Sequence, residues 1–482
     1  MKNVLLLLLL VLFISFNLYS QNEFIYKCET SDYDTFNDVL VKNDSCLYIL
    51  GAQGYYDSLP ISKNNLIEMN IEGSVIKSIT LTTDSENVFL TKIKRVGNEI
   101  FVFGSSQFYS EFCIIKYDTN LNEISRKKLF KDTTITSRTI YDVLIIDTNI
   151  FITSFDFYGS PFFLTFSILK INTNLDSLAT YVAKPNAGIA YNAIDDKNGG
   201  IKVFTTYYKI GGYGQIVHFD QNLTELSVSP LPDLLHLTNN SIWLTDTTFL
   251  VTGTTEYTRD SIYVPYYYDW DMGIIVLDTN NNQLDYSIQI RRNSEEETGW
   301  YQNIDKSKTN GYYFVGTQNL GHRYSKIILT KLDSVFNIIW EKTIGDDTTG
   351  YTSMGVYTLP DSSVMLLCRN YESATSTYLN AYAYKISQKG AVLSSANIGK
   401  QRIGRLNIFP NPASDYINVT TEKGVAQIGD YKIYDVLGKV VMSNKVFSNK
   451  VRINTSDFKS GNYVIVVSTL QGSIFSGKFV ME

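Results

Sequence analysis

A strand that ends in a polar residue and a turn recurs seven times in this chain, and that repeat constrains the fold more than any other feature. The copies are LIEMN ending at Asn70, IIKYD at Asp118, ILKIN at Asn172, IVHFD at Asp220, IIVLD at Asp278, LTKLD at Asp333 and YAYKIS at Ser387. Successive end points are 48, 54, 48, 58, 55 and 54 residues apart. Ahead of each runs another apolar strand, in order CLYILG, EIFVFG, NIFITS, IKVFTT, TFLVTG, YYFVG and VMLLC, entered from a polar turn such as VGN (96–98) or DKNGG (196–200). A further strand follows, most clearly FNIIWEKTIG at 336–345. Short alternating runs punctuated by Asp, Asn, Gly, Ser and Thr read as strands, and helical periodicity is almost absent.

Each repeat is thus a unit of four antiparallel strands, a to d. So small a sheet cannot cover its own faces, and stacking the units radially gives a β-propeller. We therefore expect an all-β chain: a seven-bladed β-propeller over 21–400 followed by a small Ig-like β-sandwich at 406–482. Residues 22–400, and 325–347 best of all, also resemble secreted bacterial propeller repeats with the phrase strand, KLD, turn, "IIWEKTIGD". How the ring closes stays open, because EFIYKC (23–28) and AVLSSANIG (391–399) both look like a d strand for the last blade.

The chain of 482 residues carries a net charge of -6, which gives no basic footprint for nucleic acid. Its start, MKNVLLLLLLVLFISFNLYSQ, has one lysine, an apolar stretch and small Ser20 before Gln21, the pattern of a secretory signal peptide over 1–20. No later run is apolar long enough to span a bilayer, so no transmembrane segment is expected in the mature chain. Cys28, Cys46, Cys113 and Cys368 lack zinc spacing. The last three fall in strand patterns and read as buried free thiols, with Cys28–Cys46 the one candidate bridge. No cofactor and no metal is expected. DTNLNE (118–123) and DTNNNQLD (278–285) are oxygen-rich, but turn geometry explains their Asp and Asn.

In a propeller the b-to-c loops and the d-to-a connections share one end of the disc. Here the b-to-c loops are 53–65, 105–112, 154–163, 205–214, 254–272, 317–325 and 370–379, and every one contains tyrosine. Aromatic rings offer broad apolar surface with a polar tip at small entropic cost, which suits a polysaccharide or a protein surface. The candidate ligand-binding residues are Tyr263, Tyr266, Tyr267, Tyr268 and Trp270 in the longest loop, with Trp300 and Tyr301 in the next d-to-a connection. Catalysis has less behind it. Three scattered histidines, His218, His236 and His322, and no nucleophile, zinc or phosphate-loop motif are present, so no catalytic residue is assigned. The alternative is a secreted carboxylate-dependent hydrolase using Asp269 with Asp271, Glu295 to Glu297 or Asp346 with Asp347.

From Leu406 the text changes. FPNPAS (409–414), IYDVLGKVV (433–441), FKSGNYVIVV (458–467) and GKFV (477–480) lie among short alternating strands. Pro410 and Pro412 fix their own φ and hold Phe409 and Asn411 extended, a stiff lead into the first strand, while Asp435 and Gly438 suit a hairpin turn. With Gly461 and Tyr463, these stretches resemble the C-terminal sorting domain of the type IX (Por) secretion system, type A. The resemblance implies a cargo exported through the periplasm and across the outer membrane. Its partners would be the secretion machinery and a sortase, and its destination the cell surface or the medium.

Overall fold

The computed structural model describes residues 25–28, 34–53, 63–82, 88–106, 110–159, 162–207, 213–232, 235, 237–258, 268–290, 296–298, 301–319, 324–345, 349–371, 379–390, 404–421, 428–435, 440–448, 450–469 and 474–481. Among them every helix or strand is a β-strand. The expected signal peptide, 1–20, lies outside the described residues, as does 391–399. The chain divides into two compact units, Met1–Ser395 and Ala396–Glu482.

The first unit contains seven antiparallel sheets, at 34–82, 88–129, 137–182, 189–230, 237–290, 296–344 and 350–386, here blades 1 to 7. An apolar core fills the gap between every neighbouring pair. Leu50 and Leu66 meet Leu90 and Ile93 between blades 1 and 2, and Phe103 and Ile114 meet Ile140 and Ile152 between blades 2 and 3. Phe166 and Ile168 meet Ala193 and Val203, Phe204 and Ile216 meet Phe249 and Val251, and Met272 and Ile274 meet Ile304 and Phe314. Val315 and Ile327 meet Val356 and Leu366, and finally Met365 and Ala383 of blade 7 meet Phe36 and Ile49 of blade 1. The seventh core closes the ring, so the fold is a seven-bladed β-propeller. The N-terminal strand completes the ring: Ile25–Cys28 pairs with Leu379–Ile386, Ile25 opposite Tyr384, and supplies the fourth strand of blade 7.

Six of the polar end points build one repeated c-to-d turn, and Ser387 opens a turn of the same backbone form after the c strand of blade 7. Asp118 Oδ1 accepts the amides of Asn120 and Asn122, both at 2.8 Å, and Asp220, Asp278 and Asp333 do the same two and four residues on. Three residues after each end point the backbone enters the left-handed region, at Gly73, Leu121, Leu175, Leu223, Asn281, Phe336 and Gly390. A bulky residue resists that conformation. Leu121, Leu175, Leu223 and Phe336 accept it because their side chains are buried in the inter-blade cores, which returns about 1.5–3 kcal/mol each. Turn geometry therefore accounts for the oxygen-rich DTNLNE and DTNNNQLD segments.

The inner strands share a second device. In blades 1 to 5 and 7 the a strand slips register by one residue against its b strand, leaving Asn37, Thr91, Tyr141, Tyr191, Asn239 and Met354 as bulges. Bulges bend a strand and sharpen its twist. The b strand approaches closely there: a Cβ on Gly104 would lie 2.1 Å from Phe89 O, and one on Gly253 1.9 Å from Leu237 O. Blade 6 differs, its inner strand being split into Glu296–Thr298 and Ile304–Lys306. Between the halves, Tyr301 N donates to Met354 O (2.9 Å) and Gln302 O accepts from Val356 N (2.7 Å).

Three sequence expectations change. Residues 154–163 are largely strand: Asn149–Gly159 and Phe162–Asn172 pair throughout, because aromatic residues face one another across the ladder, Tyr158 opposite Phe163 with rings 4.1 Å apart. The 254–272 stretch likewise continues the ladder, Thr258 opposite Tyr268, with 259–267 outside the described residues. Cys46 is a free thiol, as are Cys113 and Cys368, so the Cys28–Cys46 bridge is not formed. Cys28 belongs to the closing strand on blade 7, opposite Ala381, while Cys46 opens the b strand of blade 1.

The second unit has seven strands. Val440–Ser448, Ile428–Tyr434, Gly461–Thr469 and Ile474–Met481 pair in that order, and Tyr416–Thr421 pairs with Lys450–Asn454. Gly404–Phe409 joins the two sets, its start parallel to Ile474–Met481 and its end antiparallel to Tyr416–Thr421. One core, including Ile417, Val451, Ile433, Ile465 and Phe479, is shared by both. The proline pair follows this first strand instead of leading into it. Both Pro410 and Pro412 are preceded by cis peptide bonds. Between them Asn411 docks on the last strand, Nδ2 donating to Lys478 O (3.1 Å) and Oδ1 accepting from Val480 N (2.9 Å).

Candidate functional site

The bulges carry their neighbours to the middle of the ring. A cavity of about 310 Å³ lies along the inner strands of blades 2 to 6, lined by Lys92, Tyr141, Asp142, Tyr191, Asn192, Asn240, Trp243, Tyr301 and Asp305 among others. The lining residues occupy the middle and C-terminal parts of the a strands. The cavity therefore lies toward the a-to-b hairpins, away from the b-to-c loops.

Most polar groups here are tied between blades. Asp38 Oδ2 accepts Ile93 N (2.9 Å), and the residue in the equivalent position of blade 3, Asp142, accepts Ala193 N (3.0 Å) and Asn192 Nδ2 (2.7 Å). Asn192 Oδ1 accepts from Ser241 Oγ, and Asp305 Oδ2 accepts Thr358 N at 2.6 Å. Two of the bulge side chains act similarly, Asn37 Nδ2 donating to Leu90 O and Thr91 Oγ1 to Ile140 O.

Lys92 is the exception. It is 4% exposed, its Nζ lies 4.9 Å from the centre of the Tyr301 ring, and among the described residues no hydrogen bond or ion pair reaches that nitrogen. Burial pushes the ammonium below its ordinary value, against the pull of Asp38 and Asp142. Burial raises Asp305, opposed by the Thr358 and Lys306 amides, and raises Tyr357 strongly, with the Asp38 charge adding to it. Tyr141 packs edge-on against Tyr191 (5.1 Å) and tilted against Tyr301 (6.4 Å). The site thus combines rings, amides, two carboxylates bonded to neighbouring backbone and one buried cation, a set suited to holding a polar ligand with apolar faces.

Of the residues the sequence singled out, Tyr301 lies in this cavity, buried, with its backbone amide bound to blade 7. Tyr268 and Trp270 are on the c strand of blade 5, opposite Thr258 and Glu256. Tyr263, Tyr266, Tyr267 and Trp300 lie outside the described residues, as do Asp346, Asp347 and Glu295. Asp271 is buried in the same strand as Tyr268. His218 Nε2 sits 2.7 Å from Asp196 Oδ2, next to the 196–200 turn of blade 4. Sequence reasoning missed Lys92, Tyr141, Tyr191 and Trp243. Reading down the repeat register, instead of along the loops, would have found the tyrosines, which hold the same bulge position in consecutive blades.

In the second unit, Tyr463 is buried and donates its hydroxyl to Lys459 O (2.8 Å), and Gly461 has a φ of 153°. Asp435 ends the described part of the hairpin, and Gly438 lies beyond it.

The fold and tail define an exported propeller. Residues 407–482 match the family model described as the secretion system C-terminal sorting domain, so the C-terminal unit is a type IX sorting domain. The search of curated proteins gives no match. Among solved structures, the chain is similar to the β-propeller domain of the Trilobed protease from Pyrococcus furiosus, with 10% identity and a TM-score of 0.40, covering 74% of this chain and 94% of that one. It is also similar to puromycin hydrolase (9%, TM-score 0.46) and to the acylaminoacyl peptidase of Pyrococcus horikoshii (12%, TM-score 0.41), covering 80% of this chain and 58% of each of theirs. The blade count rests on the strand pairing and cores described above.

Proposed function

We propose that the protein is a non-catalytic binding protein that captures a polysaccharide or protein at the cell surface after export. The sorting domain supplies the destination; a signal peptide over 1–20 would bring the chain to the periplasm, and a sortase would release it or attach it to surface lipopolysaccharide. The observation that carries the binding role is the axial cavity, where tyrosine rings and a buried cation converge while the carboxylates Asp38, Asp142 and Asp305 are spent on backbone amides of the next blade. Carboxylates held in that way are poorly placed to act as a general acid and base pair.

Purified chain on an array of glycans and surface proteins tests this. Saturable binding without turnover is expected, whereas released product would point to the hydrolase. Deleting 406–482 should leave the propeller inside the cell envelope.

A further inference from the structure

Lys92 poses a question that the fold does not answer. A buried ammonium costs several kcal/mol unless something compensates its charge. The two cavity carboxylates already serve other groups: Asp142 holds Asn192 and Ala193, and Asp305 holds the Thr358 and Lys306 amides. Asp38 and Asp142 act on the Lys92 ammonium only through space, and what touches Nζ is the face of Tyr301 and open volume.

We propose that the axial cavity binds an acidic sugar, a uronic acid unit whose carboxylate pairs with Lys92 while its ring lies among Tyr141, Tyr191 and Trp243. This rests on the binding role proposed above and names the ligand class of the same cavity. A ligand carboxylate supplies the hydrogen-bond acceptor that no side chain gives this ammonium, and charge-assisted hydrogen bonds of this kind are the strong ones. Inorganic phosphate would satisfy the lysine but leave the rings unused. A neutral sugar would use the rings and leave the ammonium without a charge-assisted bond. The volume of about 310 Å³ is at the small end of ligand sites, which suits one or two sugar rings over a long chain segment.

The probe is glucuronate, with glucose and inorganic phosphate as controls, titrated calorimetrically into the full secreted chain. Saturable binding of glucuronate, at least tenfold tighter than glucose or phosphate, is expected. Lys92→Met, which keeps the length of the stem, should weaken it at least tenfold while far-ultraviolet circular dichroism stays unchanged. Should that variant not fold, Tyr191→Leu, on the cavity wall, should weaken both sugars. No glucuronate binding by the parent, equal binding of glucose or phosphate, or full affinity in a folded Lys92→Met or Tyr191→Leu overturns the assignment. A chain that captures neutral glycans on the array but ignores glucuronate overturns this inference and leaves the binding role standing.

Discussion

Arg138 and Asp156 form an ion pair with no solvent exposure, and its energetics can be worked out from the contacts. Arg138 Nε and Nη2 donate to the two oxygens of Asp156 at 2.8 and 2.9 Å. Nη1 reaches Phe130 O at 3.0 Å and also Ser110 O, while Ser154 and Ser167 hydroxyls complete the carboxylate. The guanidinium also lies 4.4 Å from the centre of the Phe112 ring. Because Ser110 and Phe112 belong to blade 2 and Asp156 to blade 3, the group staples two blades. Asp156→Asn preserves shape but strands the guanidinium, and Arg138→Met strands the carboxylate; each should cost about 3–5 kcal/mol. Once either charge is gone, losing the other costs little, so the double variant should also sit about 3–5 kcal/mol below the parent. The coupling is then about 3–5 kcal/mol. Urea unfolding of the four proteins, followed by tryptophan fluorescence, measures it. Additive losses, with the double variant about 6–10 kcal/mol less stable, would refute the idea that the two charges are buried for each other.

Other expectations follow from the repeats. Leu175→Ala, which empties a fully buried site at a left-handed turn position, should cost about 2–5 kcal/mol in the same assay. Gly104→Ala should destabilise blade 2, with a lower thermal midpoint, since Phe89 O leaves no room for the added methyl. Hydrogen bonding from Asn122 holds Asp118 below the usual carboxylate range, as Asn337 does for Asp333 and the Thr224 amide for Asp220. Groups with depressed folded values stabilise above the unfolded value of 3.8 and lose that contribution as pH falls through the folded one. A pH series should therefore show stability falling from near pH 4 downward, with a shallower slope in Asp118→Asn/Asp333→Asn. Asn411→Ala should speed hydrogen exchange at the Val480 amide by removing its acceptor, while Ile465, held within the Gly461–Thr469 ladders, exchanges as before.

The blade count was legible because one turn chemistry, an Asp or Asn accepting two amides, recurs after the c strands of blades 2 to 6 and leaves a polar mark at even spacing. The split inner strand of blade 6 was not. Its stretch EEETGWYQNIDK carries no alternation, and the contacts that organise it come from blade 7. Ring closure was ambiguous because 23–28 and 391–399 alternate alike; choosing between them took the pairing of Ile25 with Tyr384. The cavity was hidden for a different reason. A bulge leaves no trace in hydrophobic pattern, so Lys92 in VFLTKIKRV reads as an ordinary outward lysine although the slipped register turns it to the axis.

The docking of Ile25–Cys28 on Leu379–Ile386 has a consequence for how the protein comes into being. The earliest described residues must wait for the last blade before they find their place, so no partial product of synthesis can complete the circle. A chain cut short anywhere ahead of residue 379 keeps a raw strand edge and an unfilled gap, visible to proteases as unfinished.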